Sequence, residues 1–216
     1  AGPGLENTNG WRLALEHEGW KKDGDKLGGV PTKIIYGDDQ QKPDAGLREV
    51  ERMIRQEKTQ VIAGFMWSNV LMAAQKPITE SKTGLLITNA GASPMAGELC
   101  SPYVVSTSFN NEQFTEALGK LLSDEKIESI YFMAPNYQAG KDQVAGILRT
   151  LKGPKVVGQT YFKLGESDFQ ADISKIRAEK PKALWIFAPG GMGVAFFRQW
   201  QASGAGKEIK LYTSNT

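Results

Sequence analysis

The sequence predicts an α/β fold, in which short buried strands alternate with amphipathic helices. Short apolar runs recur along the chain, as at residues 84–88 and 183–188. Between these runs the apolar residues repeat with the helical period of about 3.6. Strands that are joined through helices pair in parallel, so we expect parallel sheets covered by helices on both faces.

The composition narrows the range of functions. The chain has 216 residues, 40% of them hydrophobic and 23% charged, as is typical of a folded globular protein. A net charge of +2 does not favour a nucleic-acid partner, because such partners select clustered Lys and Arg. With one cysteine and one histidine, we expect neither an internal disulfide nor a structural metal site. The apolar runs are shorter than the ~20 residues of a membrane span.

The first half of the chain predicts three helices and four strands. A helix over residues 5–17 places Leu13 and Leu15 partly inward, and Pro43 suits the first turn of a second helix. Ser68 is expected to cap the third helix. Strands are predicted at residues 32–36, 61–66, 84–88 and 103–106.

A second series of elements starts at residue 110, which indicates a second lobe. Asn110 and Gln113 have the spacing of a capping box, in front of a helix with an apolar stripe. That stripe comprises Phe114, Ala117, Leu118, Leu121 and Leu122. Ser167 and Gln170 predict another capping box. Further helices are expected over residues 139–151 and 190–203, and strands over 129–134, 156–162, 183–188 and 209–212.

Four segments that follow predicted strands carry the candidate binding residues. In open α/β sheets, ligands bind beyond the carboxyl ends of the strands, where helix N-termini present N–H groups. The segments are Trp67-Ser68-Asn69, residues 89–94 (NAGASP), Asn136-Tyr137-Gln138 and residues 190–193. Hydroxyls and backbone N–H groups in the first two suit a carboxylate, and the aromatic rings suit an apolar body. Each segment alone is also compatible with an ordinary turn, which favours Gly, Ser and Asn.

Enzymatic motifs are weak in this sequence. His17 lies between two glutamates on a charged helix face, and Cys100 has no histidine near it in the sequence. Gly191 and Gly193 open a helix after a strand, as in a dinucleotide-binding loop, but Phe196 stands in place of the third glycine. We therefore expect no catalytic residue, no metal and no cofactor. A nucleotide-dependent enzyme that uses this loop remains an alternative.

Several short motifs, taken in order, resemble one family. They are Gly2-Pro3, Asn9-Gly10, Asp38-Asp39, GFMWS at 64–68, NAGASP at 89–94, NYQAG at 136–140 and DFQAD at 168–172. Their order and spacing resemble the periplasmic solute-binding proteins of branched-chain amino-acid ABC transporters, the leucine/isoleucine/valine-binding protein family. The likeness runs through the whole chain and is greatest to the subset that carries aromatic or other organic acids.

The resemblance implies the type I periplasmic binding protein fold, with two Rossmann-like lobes that close on a ligand. Lobe one would cover residues 1–108 and lobe two residues 109–210, with residues 211–216 starting a return crossing. The family has a first strand before residue 2 and further chain after residue 216. The resemblance therefore implies that this chain is incomplete at both ends, and that lobe one lacks its first strand.

The resemblance also assigns ligand contacts. Ser68 matches the serine that binds the ligand carboxylate, and Tyr137 matches a tyrosine of the second lobe. The residues of the loop beside the carboxylate and those of the pocket wall also belong to the set. So do two glycines, which fall near the position of a second-lobe aromatic residue that this sequence lacks. The predicted ligand-binding residues are Met66, Trp67, Ser68, Asn69, Asn89, Ala90, Gly91, Ala92, Ser93, Tyr137, Gly190 and Gly191.

Ala92 departs from the family pattern. Amino-acid binders have a threonine there that helps to hold the ligand's ammonium group, and an unpaired buried ammonium is costly. We therefore expect a small carboxylate without an α-amino group, aromatic or otherwise organic. The implied protein is a monomeric periplasmic receptor, with its signal peptide removed, that serves an ABC permease in the membrane. A ligand-sensing domain of a regulator is a further alternative.

Overall fold

The computed structural model describes residues 3–214, which fall into two compact units. Unit 1 contains the chain up to Ala90 together with Leu99–Ser108. Unit 2 contains Gly91–Glu98 and the chain from Phe109 onward. Both units combine parallel strands with helices, which confirms the predicted α/β class. Gly2 of the first motif and the last two residues of the predicted return segment lie outside the described residues.

Unit 1 carries a small parallel sheet. Its helices are α1 Pro3–His17, α2 Pro43–Arg55 and α3 Ser68–Glu80. Its strands are β1 Lys26–Leu27, β2 Val30–Pro31, β3 Val61–Gly64, β4 Gly84–Ile87 and β5 Val104–Ser106. The last three pair in parallel in the order β3-β4-β5, and β1 and β2 form a short antiparallel pair. In α1, Leu15 is buried as predicted, but Leu13 is exposed.

The strand predicted over residues 32–36 is wrong. Residues 33–37 line a cavity of about 550 Å³ instead, and β3 lines another of its walls. A strand forms only where its backbone groups find a partner, and β4 is the only neighbour of β3 within residues 3–214. Val61, on this edge strand, is 59% exposed.

Unit 2 carries a four-stranded parallel sheet. Its helices are α4 Gln113–Asp124, α5 Gln138–Thr150, α6 Gln170–Glu179 and α7 Gly191–Ser203. Its strands are β6 Ser129–Pro135, β7 Lys155–Phe162, β8 Ala183–Ile186 and β9 Lys210–Thr213, paired in the order β7-β6-β8-β9. All four residues of β8 are buried, as expected for a central strand that is covered on both faces.

Aromatic rings fill the core between this sheet and helices α6 and α7. The Phe169 ring meets Phe162 edge to face at 5.1 Å and Phe196 at 5.5 Å between centroids. Phe196 also stacks on Trp200 at 5.5 Å. The edge-to-face geometry stabilises such clusters beyond the area they bury.

Helix α4 is rotated relative to its predicted apolar stripe. Leu122 is buried, but Leu121 is 46% exposed, and the other buried positions are Thr115 and Gly119. A Cβ on Gly119 would overlap the Ile147 carbonyl oxygen of α5. The two helix backbones therefore approach closely over small residues, and this contact fixes which face of α4 is buried.

One of the two predicted capping boxes is half formed, because the Asn110 side-chain oxygen accepts from Glu112 N instead of Gln113 N. Gln113 Oε1 accepts a hydrogen bond from the Asn110 backbone N–H at 3.0 Å, although the regular helix starts only at Gln113. The box predicted from Ser167 and Gln170 is wrong. Helix α6 begins at Gln170, and the Gln170 N–H donates to the Asp168 carboxylate at 3.1 Å.

Candidate functional site

The turn after β3 places Ser68 at the start of a helix. The carbonyl of Trp67 accepts hydrogen bonds from Val70 N at 3.1 Å and Leu71 N at 3.0 Å. Trp67 is therefore the cap residue, and the prediction that Ser68 caps the helix is wrong by one position. Ser68 is the first helical residue and is 2% exposed. The first turn of a helix presents N–H groups that have no acceptor within the helix and carries its positive dipole end.

The turn after β4 is tied to the turn after β3. The side-chain amide of Asn89 donates to the Met66 carbonyl at 3.1 Å, and Ala90 N donates to the Phe65 carbonyl at 3.1 Å. Phe65 has a φ of 63°, a left-handed conformation that is uncommon outside glycine. Within unit 1, these bonds bring together the predicted segments around Ser68 and Asn89.

Two further features surround this part of the site. Met66 and Trp67 line the cavity of about 550 Å³ beside β3, and no other residue of the predicted set does. The side-chain oxygen Oδ1 of Asn69 is buried without a hydrogen-bond partner among residues 3–214. Buried acceptors are normally paired in folded proteins, so this oxygen in the first turn of α3 is an exception.

In unit 2, the segment that begins at Gly91 is fixed by several bonds. The carbonyl of Gly91 accepts from Asn111 N at 2.8 Å, and Ser93 N donates to the Asp142 carboxylate at 3.0 Å. A Cβ on Gly91 would overlap the Phe109 carbonyl oxygen, so only glycine fits at this close approach. Ala92, which lies between Gly91 and Ser93, is buried and has no polar side-chain atom.

Tyr137 lies at the carboxyl end of β6, next to that of β8. Its ring stacks on Phe187 at 6.3 Å with 22° between the planes. Burial, and then the negative charge of Asp142, raise the pKa of the Tyr137 phenol. The phenol therefore keeps its proton at neutral pH and remains able to donate a hydrogen bond.

Gly190 and Gly191 form the turn that starts α7, beyond the carboxyl end of β8. Gly190 has a φ of 64° and a ψ of −131°, a conformation that is open essentially to glycine alone. The dinucleotide motif needs a third glycine for close packing of helix against strand. Phe196 stands there instead and is fully buried in the aromatic core. This packing speaks against the nucleotide-binding alternative.

Sequence reasoning missed Asp142 and Asn111. Asp142 is 4% exposed, and Asn111 Nδ2 donates to its carboxylate at 3.0 Å. An aspartate in the second turn of a predicted helix ordinarily faces water, so no local signal marks it as buried. Within residues 3–214, no group of three or more His, Cys, Asp or Glu side chains is placed to hold a metal ion. The same residues include no helix that is long and apolar enough to cross a bilayer.

Comparisons of the sequence with a family model and with curated proteins point to the same family. The family model described as periplasmic binding protein matches residues 4–216. Among curated proteins, the Leu/Ile/Val-binding protein homolog 6 of Brucella abortus (strain 2308) is 24% identical over 171 residues. That match covers 78% of this chain and 43% of the Brucella protein.

Two solved structures have folds similar to that of this chain. An ABC transporter solute binding protein from R. palustris, in complex with benzoate, is 27% identical with a TM-score of 0.86. The match covers 95% of this chain and 56% of that one. A solute binding protein from Rhodopseudomonas palustris BisB5, in complex with 3,4-dihydroxy benzoic acid, is 28% identical with a TM-score of 0.87, over 97% of this chain and 57% of that one.

The chain therefore spans less than three fifths of the length of these relatives. It has the type I periplasmic binding protein fold that the resemblance implied, in two α/β units with parallel sheets. From the family match over residues 4–216 and from this architecture we conclude that the chain belongs to the periplasmic binding protein family.

Proposed function

We propose that this protein is the solute-binding receptor of an ABC importer and that it captures a small aromatic carboxylate. The observation that carries the proposal is the N-terminus of α3. There Ser68, the first helical residue, directly follows the turn at Phe65–Trp67, which is bonded to the Asn89–Ala90 turn through Asn89 and Ala90. A helix N-terminus with a hydroxyl is a suitable site for a carboxylate.

No lysine or arginine belongs to the predicted set of contacts. The ligand's charge would therefore be balanced by N–H dipoles and hydroxyl groups, which form short, strong hydrogen bonds with an anion. Trp67 and Met66 supply apolar surface beside the helix start. An aromatic body next to a carboxylate matches this combination of groups.

The composition of the segment that begins at Gly91 supports an acid without an amino group as the ligand. Ala92 has no side-chain acceptor for an ammonium, and a buried ammonium without a partner is costly. The two R. palustris relatives were crystallised with benzoate and with 3,4-dihydroxy benzoic acid. We therefore place benzoate-like acids ahead of branched-chain amino acids as ligands.

The remaining parts of the proposal follow from family membership. The receptor works outside the cytoplasm, as a monomer, and delivers its ligand to a membrane permease by binding alone, without catalysis. In unit 2, residues Gly91–Ser93, Tyr137, Gly190 and Gly191 are proposed as further ligand contacts. Residues 1–108 and 109–210 are proposed as its two lobes, with the difference that Gly91–Glu98 groups with unit 2. Neither the nucleotide-dependent enzyme nor the regulator is supported by an observation of comparable weight.

The test is calorimetry with benzoate on the full chain and on Ser68→Ala. Loss of a hydrogen bond to a charged group costs about 1–3 kcal/mol, so we expect affinity to fall about 5- to 150-fold. Ser81→Ala is the matched control, because Ser81 ends the same helix and its hydroxyl donates to the Ile78 carbonyl. Equal affinity of Ser68→Ala and the unsubstituted chain would remove Ser68 from the site.

A further inference from the structure

A buried carboxylate in unit 2 holds three separate parts of the chain. Asp142 lies in α5, and its Oδ2 accepts from Ser93 N and from Asn111 Nδ2, each at 3.0 Å. Its Oδ1 accepts from Gln138 Nε2, one helical turn earlier, at 2.8 Å. The side chain thus joins the segment after Gly91, the start of α4 and the start of α5.

Packing of the hydrophobic core does not explain why a carboxylate is buried at this position. Burying a charge is unfavourable unless hydrogen bonds satisfy it, and three donors from separate segments must be aligned at once. All three bonds are directed so that the carboxylate is the acceptor. A neutral apolar residue would leave Ser93 N and Asn111 Nδ2 without this acceptor, so the geometry of both segments depends on Asp142.

The bond to Ser93 is the important one for function. The segment before Ser93 contains Gly91 and Ala92, two of the proposed ligand contacts. The Gly91 carbonyl is fixed by Asn111 N at 2.8 Å, and Asn111 itself donates to Asp142. Both ends of the Gly91–Ser93 segment are therefore fixed directly or indirectly through one carboxylate.

We infer that Asp142 is a positioning residue for ligand recognition: by accepting from Ser93 N and Asn111 Nδ2, it sets the main-chain geometry of Gly91–Ser93. The inference rests on the proposed function, because it gives this segment a role in binding the acid. We do not propose that Asp142 contacts the ligand. It acts through the Gly91–Ser93 segment, whose position it fixes.

The test compares Asp142→Ala with Asp142→Asn. Alanine removes the acceptor, so we expect the Ser93 amide to exchange with solvent at least about tenfold faster and benzoate affinity to fall by about fivefold or more. Asparagine keeps one oxygen for Ser93 N and Asn111, and Gln138 satisfies the new amide by turning its own amide over. We therefore expect Asp142→Asn to restore slow exchange and most of the affinity.

A second variant and a control make the result decisive. Gln138→Ala leaves Asp142 in place but removes the bond to Oδ1, so we expect smaller changes in the same two readouts, even if Asp142→Ala fails to fold. Asp124→Ala, which removes an exposed carboxylate paired with Lys120 at 2.6 Å, is expected to change neither.

The outcomes separate this inference from the proposed function. Absence of benzoate binding to the unsubstituted chain would refute the proposed function. Normal benzoate binding together with unchanged affinity in folded Asp142→Ala, or in Gln138→Ala where the alanine variant does not fold, would overturn the positioning role. Unchanged Ser93 exchange in the same variant would overturn it as well.

Discussion

The two sheets of this protein differ in how completely they are covered. Strand β3 of unit 1 alternates exposed and buried residues, and its outer edge borders a cavity of about 550 Å³. Strand β8 of unit 2 lies between two neighbours and is buried at every position. The core of unit 2 should therefore be sensitive to any loss of volume, whereas the open edge of unit 1 should tolerate change.

The largest effect is expected in the aromatic core of unit 2. Phe169→Ala removes a fully buried ring and should lower the free energy of unfolding by about 3–5 kcal/mol, as large-to-small core substitutions do. Urea denaturation measures it. Phe109→Ala, at a ring that is 38% exposed, is the control and should cost clearly less. Equal costs would mean that the unit 2 core is loosely packed.

The next effect concerns the helix pairs. Gly119→Ala forces a Cβ into the Ile147 carbonyl of α5, so we expect a loss of about 1–3 kcal/mol in unfolding free energy. Gly46→Ala in α2 meets side-chain atoms of the buried Val70 and of Asp39 but no backbone atom, and should cost less. The same denaturation experiment ranks them. The reverse order would show that the α2 and α3 pair of unit 1 is the tighter one.

A pH dependence should come from Tyr137 of unit 2. Its pKa is raised by burial, while the unfolded chain ionises at the ordinary value of about 10. Stability is thus fully present below pH ~10 and falls as pH rises above it, by up to about 1.4 kcal/mol per pH unit. Unfolding free energies measured between pH 9 and 11.5 should fall less steeply for Tyr137→Phe. Identical slopes would show that the phenol is accessible to solvent.

The smallest effect is expected at the open edge of unit 1. Val61→Thr keeps a β-branched side chain at an exposed position and should change the unfolding free energy by no more than about 0.5 kcal/mol. Leu184→Thr, in β8, places a hydroxyl in a fully buried site and should cost several times more. A large effect at Val61 would mean that this edge is covered in solution.

Periodicity predicted the order of most elements, because buried strands and amphipathic helices leave a direct mark on the sequence. It failed at residues 32–36, where a strand depends on a neighbour that the local sequence does not encode. The rotation of α4 was missed because two of its three buried positions are Thr115 and Gly119, which carry no hydrophobic signal. The turns around Ser68 and Tyr137 follow strands, so they were predictable. The buried carboxylate of Asp142 depends on contacts between distant segments and was not.

The most direct test of the account compares three ligands on the full chain by calorimetry. Benzoate carries the charge and ring that we propose, benzamide keeps the shape without the charge, and leucine adds an ammonium. The account predicts saturable binding of benzoate, with benzamide and leucine each weaker by about tenfold or more. Benzamide binding as tightly as benzoate, or leucine binding more tightly, would contradict it.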